Sequence, residues 1–192
     1  IIRAEGLDDK LVLERDLIGA HLDWEAAGCS QDVAAMLSFV TRQNPDRLIA
    51  PGQHVLPVAG LFVAPPGKRR PFFFNIMKRR GIDTREAQYA YFADYVATVV
   101  GTQLELYFKT GLMLEAHQQN LNLVYDADWT LRRLMYHDIP GGVAAYLPLL
   151  TARHDVPRFA LVCPRRDEEL QRFLPGLVRL AFVDLRLREQ PL

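Results

Sequence analysis

Apolar residues recur at helical spacing over one long stretch of this chain and crowd into several short stretches with the density of strands. From 83 to about 110, Phe92, Tyr95, Val96, Val99, Gln103, Leu106 and Tyr107 share one side of a 3.6-residue helix, so that face is mostly apolar. Asp83 followed three residues later by Glu86 is a capping-box-like start, and Gly111 stands where a glycine ends a helix. At 1.5 Å per residue such a rod is roughly 40 Å long. Gly101, in its middle, costs up to ~1 kcal/mol relative to Ala and points to close packing there. Ser30 is placed to cap a shorter helix over 31–42, with Val33, Met36, Leu37 and Val40 on one face. Residues 10–14 and 55–63 read as strands. So do 121–125 and 130–136, which form a hairpin across Asp126-Ala127-Asp128. A further buried strand is expected over 159–163. The stretches 44–54 and 64–71 are rich in Pro and Gly and serve as connections. Residues 166–189 read as helix interrupted at Pro175-Gly176, and the second half is strongly apolar. The pattern predicts an α+β fold: a long central helix on a small antiparallel sheet, with a helical C-terminal end. Residues 1–54 form a leading segment with a linking helix. Residues 55–192 form the main domain, in one compact unit with that segment.

The 192 residues suffice for one medium domain with a real core. Lys and Arg balance Asp and Glu to a net charge of zero, so net charge gives no argument for nucleic acid or an acidic membrane surface, and neither is expected as a partner. No apolar run approaches the ~20 residues that span a bilayer. The N-terminus lacks a signal-peptide pattern and an initiator Met, so the chain reads as a cytoplasmic piece of something longer. Cys29 and Cys163 are the only cysteines and read as unpaired buried thiols. They are too few for a zinc or iron–sulfur site. Lys68-Arg69-Arg70 and Lys78-Arg79-Arg80 are two basic runs that could steer polyanions but read as solvated loop and helix ends. Phe72-Phe73-Phe74 reads as core. His21, His54 and His154 read as surface or structural. Arg153-His154-Asp155 reads as a loop with satisfied charges.

The informative chemistry lies in 111–120. Five of the six positions from Glu115 to Asn120 are polar, right after the long helix and right before a strand. Rigid elements on both sides can hold such a cluster in place. Glu115 and Asn120 are five apart, and Asp138 follows at the far end of the hairpin. Protein kinases space a catalytic-loop acid, a metal-binding Asn and a returning Asp in the same way, so the expected fold is remotely like a kinase C-lobe. Asn120 and Asp138 at one end of a hairpin offer hard oxygens that suit Mg²⁺. Gly141-Gly142 would let backbone approach a ligand. Alternatively, Asp138 simply caps the turn at Pro140-Gly141.

Leu114-Glu115-Ala116-His117-Gln118-Gln119-Asn120 resembles the signature of the aerobactin-synthetase-like family, the siderophore synthetases that work independently of non-ribosomal peptide synthetases. The apolar stretch from Val55 to Phe62 and the aromatic helix through Tyr89, Phe92, Tyr95 and Tyr107 are similar to the same family. The resemblance implies activation of a carboxylate, of citrate or a related acid, as an acyl-adenylate, followed by condensation with an amine or alcohol. It implies that Glu115, Asn120 and Asp138 hold Mg²⁺ and, through it, ATP. It implies that His117 contacts the α-phosphate or the carboxylate, and that Gln119 positions nucleotide or substrate. Where the family usually has Arg, this chain has His137, which implies a weaker or pH-dependent cation contact. The family's upstream ATP-gripping motifs are absent. The implied partner is therefore a missing N-terminal half of the same enzyme, without which the piece is inactive. The apolar last helix is a candidate homodimer interface. Three rivals remain: a kinase-like phosphotransferase lobe, a ferric-siderophore reductase and a non-catalytic binding module. The reductase reading requires an Fe–S cluster held by several Cys, which two distant thiols cannot supply.

Overall fold

The computed structural model describes residues 1–139 and 143–155. The expected strand over 159–163, the helix over 166–189, Cys163 and Gly141-Gly142 lie outside these residues. Around one helix, α4 (Arg85–Thr110), the chain wraps a four-stranded sheet. In spatial order that sheet is β1 (Leu11–Leu13), β7 (Leu131–Tyr136), β6 (Leu121–Tyr125) and β4 (His54–Pro57). The β6–β7 hairpin stands at its centre. The α+β class is as expected, but the sheet is mixed. Strand β1 joins parallel to β7, Leu11 beside Leu134 and Leu13 beside Tyr136. A two-residue turn cannot make a parallel pair, and here the whole intervening chain is the crossover.

Strand period and helix period meet in the core. On the hairpin, Leu121, Leu123 and Tyr125 alternate along β6 and oppose Leu134 and Tyr136 on β7, all with no exposed surface. They pack in one cluster with Tyr91, Tyr95, Val99 and Leu106 of α4. Fully burying each such side chain is worth about 1.5–3 kcal/mol, so this face outweighs any surface ion pair in holding the sheet to the helix. Phe73 of α3 (Phe72–Arg79) enters the same cluster, with its ring 5.6 Å from Tyr95 and 5.4 Å from Tyr91. The three phenylalanines are therefore core or packed against it, as expected. His54 stacks on Trp129 at 4.6 Å and His154 approaches Glu5 at 3.4 Å, both structural roles.

Several boundaries differ from the sequence expectation. The helix begins one residue later than its acidic start suggested: Thr84, not Asp83, is the cap, and its hydroxyl accepts from the Ala87 amide at 3.2 Å. The shorter helix, α1 (Gln31–Met36), is capped by Ser30 but stops after six residues. Phe39–Arg42 is instead β3, paired antiparallel with β2 (Asp16–Ala20). Phe39, Val40 and Thr41 are aromatic and β-branched residues that favour a pleated strand once a partner exists. The face expected to be buried is open: Met36 is 84% and Leu37 63% exposed. The stretch 55–63 divides at Pro57, which has no amide to continue the ladder, and Val58–Leu61 forms a single helical turn, α2. Cys29 is free and half-buried rather than buried. No helix among the described residues is long and apolar enough to cross a membrane.

Two glycines of the long-helix region play opposite parts. Gly111 closes α4 at φ 75°, and its amide donates to the Tyr107 carbonyl at 2.7 Å. A Cβ there would meet the Tyr146 carbonyl oxygen at 2.7 Å and the Leu150 amide at 3.0 Å. Gly101, expected at a close contact, has nothing within 4 Å of the position a Cβ would take. Gly111→Ala should therefore cost more than the ~1–2 kcal/mol of the left-handed conformation alone and lower the thermal midpoint by roughly 5 °C or more. Gly101→Ala should raise stability by about 0.5–1 kcal/mol, as for an unstrained helix interior. Thermal unfolding of the two variants measures both, and a loss at Gly101 would restore the close-packing view.

Candidate functional site

The polar run follows α4 through β5 (Leu112–Leu114), which pairs antiparallel with β8 (Val143–Ala145). Leu114 faces Val143 at one end of a pair of connectors, and Leu121 faces Tyr136 at the other, leaving six residues on each side, 115–120 and 137–142. Residues 115–120 and the described residues 137–139 thus lie between two antiparallel ladders. The His137 amide donates to the Asn120 carbonyl at 3.1 Å and carries the register one step past the strands. Asp138 follows directly, where the backbone turns left-handed and leaves the ladder.

Within 115–120 the backbone is turned and internally bonded. The His117 amide donates to the Glu115 carbonyl at 2.9 Å, and the Asn120 amide to the His117 carbonyl at 3.0 Å. The Gln118 carbonyl accepts from the Ala59 amide of α2 at 3.2 Å, which ties the turn to the body of the fold. Ala116 and Asn120 are buried, His117 and Gln118 half-buried, Glu115 and Gln119 exposed. His117 Nδ1 accepts from the Gln119 amide at 3.2 Å. A neutral ring in that arrangement carries its proton on Nε2, available as a donor.

Tyr136 gathers the three oxygen-bearing residues. Its hydroxyl donates to the Glu115 carbonyl at 3.2 Å. Burial pushes its phenol up to about 12; the Asn120 side chain opposes that shift, and the Glu115 and Asp138 carboxylates add to it. All three side chains therefore act on one hydroxyl. Asn120 Nδ2 is buried and meets no hydrogen-bond acceptor in ordinary geometry, an expensive state for an amide. Asp138 is half-exposed and adopts φ 63°, a left-handed conformation that Asp tolerates better than most residues.

Two further side chains stand nearby, Arg42 and His137. Arg42 at the end of β3 donates from Nε to Asp16 at 3.0 Å and reaches Asp138 with Nη2 at 3.9 Å. His137 turns away from this cation: its Nδ1 lies 3.3 Å from the Asn122 amide nitrogen and 3.7 Å from the buried Glu14 carboxylate. Arg42 was legible only as part of an expected helix, and its approach depends on a strand pairing with residues more than twenty positions away.

The donor set fits a hard divalent cation: two carboxylates and one amide, with no ion pair on Glu115 among the described residues. The described residues contain no group of three His, Cys, Asp or Glu side chains poised for a metal, so a cation here would complete its shell from the bound ligand and water.

Comparison with known proteins bears on the fold. Residues 90–182 match the family model described as ferric iron reductase FhuF-like transporter. Over 99% of its length the chain superposes on 34% of aerobactin synthetase IucC from a hypervirulent pathotype of Klebsiella pneumoniae, with a TM-score of 0.69 and 18% identity. It covers 92% of its length on 31% of petrobactin biosynthesis protein AsbB from Bacillus anthracis str. Sterne, with a TM-score of 0.59 and 15% identity. It is 30% identical over 144 residues to the uncharacterized protein y4xN of Sinorhizobium fredii, covering 75% of this chain and 23% of that one. The fold is that of one part of the siderophore synthetases, the family the 114–120 run resembles. The chain spans about a third of the length of these solved neighbours and about a quarter of that relative.

Tyr136→Phe removes the hydroxyl on which the turn rests. A lost hydrogen bond of this kind costs about 1 kcal/mol, or a midpoint shift of roughly 2–4 °C. Amide exchange across 115–120 should quicken while the β6–β7 amides stay protected. Unchanged exchange in the turn would show that Tyr136 does not hold it.

Proposed function

We propose that this chain is the metal- and nucleotide-holding portion of an ATP-dependent siderophore synthetase that activates a carboxylate and joins it to an amine or alcohol. The observation that carries the reading is the Tyr136 hydroxyl, which donates to the Glu115 carbonyl and on which the Asn120 side chain and the Glu115 and Asp138 carboxylates all act. Glu115, Asn120 and Asp138 would hold Mg²⁺, which when bound offsets phosphate charge. A substrate carboxylate oxygen attacks the α-phosphorus of ATP and pyrophosphate leaves. The amine or alcohol then attacks the acyl carbon and AMP leaves. In this scheme His117 donates from Nε2 to an oxygen of the α-phosphate or the carboxylate, a role that its bond from the Gln119 amide favours. Gln119, exposed beside it, positions nucleotide or substrate. Arg42 takes the place of the cation that His137, turned toward Glu14, does not offer. The remaining phosphate contacts come from the rest of a longer polypeptide, in keeping with the length of the neighbours.

Pyrophosphate exchange with citrate or another carboxylic acid tests the scheme in the complete gene product. Asp138→Asn keeps both shape and tolerance of positive φ. It should lower exchange about 10²-fold or more, as removal of an electrostatic stabiliser does, with little change in thermal midpoint. His117→Ala should also slow exchange without unfolding. The 192-residue chain alone should exchange weakly or not at all. Wild-type rates in both variants would remove these residues from the site, and release of ADP instead of AMP would favour a kinase-like phosphotransfer.

A further inference from the structure

The two basic runs do not end up equivalent. Arg79 lies 5.1 Å over the Trp129 ring and Arg80 5.4 Å over Tyr91, both engaged with aromatic faces. Lys78 instead turns to a cavity of about 610 Å³ that Lys68, Arg69 and Arg70 also line. Four cations from two separate stretches thus converge on one concavity, with Asp83 the single acid on its wall. None of the four makes an ion pair among the described residues. In a chain of zero net charge, this is a local concentration of positive potential without an internal counterpart.

The loop that presents three of these cations is built rather than loose. Pro65-Pro66-Gly67-Lys68 is a turn closed by the Lys68 amide donating to the Pro65 carbonyl at 2.9 Å. Gly67 sits at φ 73°, in the position where such a turn requires glycine. The Phe72 amide donates to the Val63 carbonyl at 3.1 Å and fastens the base of the loop as α3 begins. The cavity floor is apolar, made by Phe74, Met77 and Ile82, and Asn75 and Gln88 add neutral hydrogen-bonding groups. A concave, partly apolar site with a few convergent charges is what small-molecule recognition uses. A nucleic-acid surface would instead need a basic stripe tracking a backbone.

We infer that this cavity binds a small anion bearing several carboxylate or phosphate oxygens, its charges met by Lys68, Arg69, Arg70 and Lys78 and any carbon body resting on Phe74 and Met77. The cavity sits at the N-terminal end of α4, lined by Asp83 and Gln88, whereas the 115–120 turn follows the C-terminal end of that helix. The two sites are therefore distinct, and this one does not depend on the synthetase reading.

Isothermal titration of the 192-residue chain in EDTA and low salt, with citrate and separately with pyrophosphate, tests the proposal. At least one of the two should bind with one-to-one stoichiometry. Tighter binding of citrate identifies carboxylate as the preferred source of oxygens, and tighter binding of pyrophosphate identifies phosphate. Lys68→Ser/Arg70→Ser/Lys78→Ser should weaken binding at least tenfold. Arg3→Ser/Arg15→Ser/Arg47→Ser removes equal charge from exposed positions outside the cavity and should change it less than twofold. Asp138→Asn should leave it unaltered, which separates this site from the proposed metal site. The proposal is overturned if neither anion binds, if both triple variants weaken binding equally, or if a single-stranded oligonucleotide binds more tightly than either anion and is the species lost with the cavity cations.

Discussion

The antiparallel register of β6 on β7, with Leu121 opposite Tyr136 and Leu123 opposite Leu134, is the constraint on which the rest of the molecule depends. It aligns one face of the hairpin into the apolar surface that α4 covers. A slip of one residue would turn Leu121, Leu123 and Tyr125 to the opposite face. The same register is carried one residue past the strands by the His137–Asn120 bond, just before Asp138. The second ladder, between β5 and β8, sets Leu114 opposite Val143, so the two segments between the ladders have equal numbers of residues. Core packing and the candidate site are in this sense one arrangement: the energy that fixes the first also fixes the second.

Much of this was legible because it is local. The helix from 85 to 110, its stop at Gly111 and the hairpin all follow from periodicity and turn chemistry within a few residues. What the sequence hid is what distant pairing decides. Val40 and Thr41 could extend a helix as easily as form a strand until Asp16–Ala20 arrives beside them. Strand β1 was visible as a strand but not as a parallel neighbour of β7. Tyr136 reads as a core residue of an alternating strand, and nothing in that pattern shows its hydroxyl at the Glu115 carbonyl. Gly101 misleads for the opposite reason, since its cost is local but no neighbour explains it.

Charge is distributed in a way that a net count conceals. Lys10 and Lys109 both pair with Glu105, joining the leading segment to the middle of the fold. Arg132 pairs with Asp126 at the hairpin tip, and Arg42 spans Asp16 and Asp138. The cations around the 63–72 loop have no such partners among the described residues. The β2–β3 hairpin shows the complementary imbalance: Leu17, Ile18, Phe39 and Val40 are neighbouring pairs along their strands, so apolar side chains emerge on both faces and all are more than half exposed. Strands that alternate side by side cannot hide such pairs against a single surface.

Asp138 joins two demands that seldom fall on one residue. Its backbone is left-handed, at φ 63°, and its side chain is a carboxylate beside Arg42 and Tyr136. Glycine and asparagine accept the conformation without strain but bring no charge. Glutamate brings the charge on a longer stem and accepts the conformation less well. Among the twenty amino acids only aspartate meets both requirements. The position is therefore closed to gradual substitution, and any exchange there forfeits either the shape of the connector or its charge.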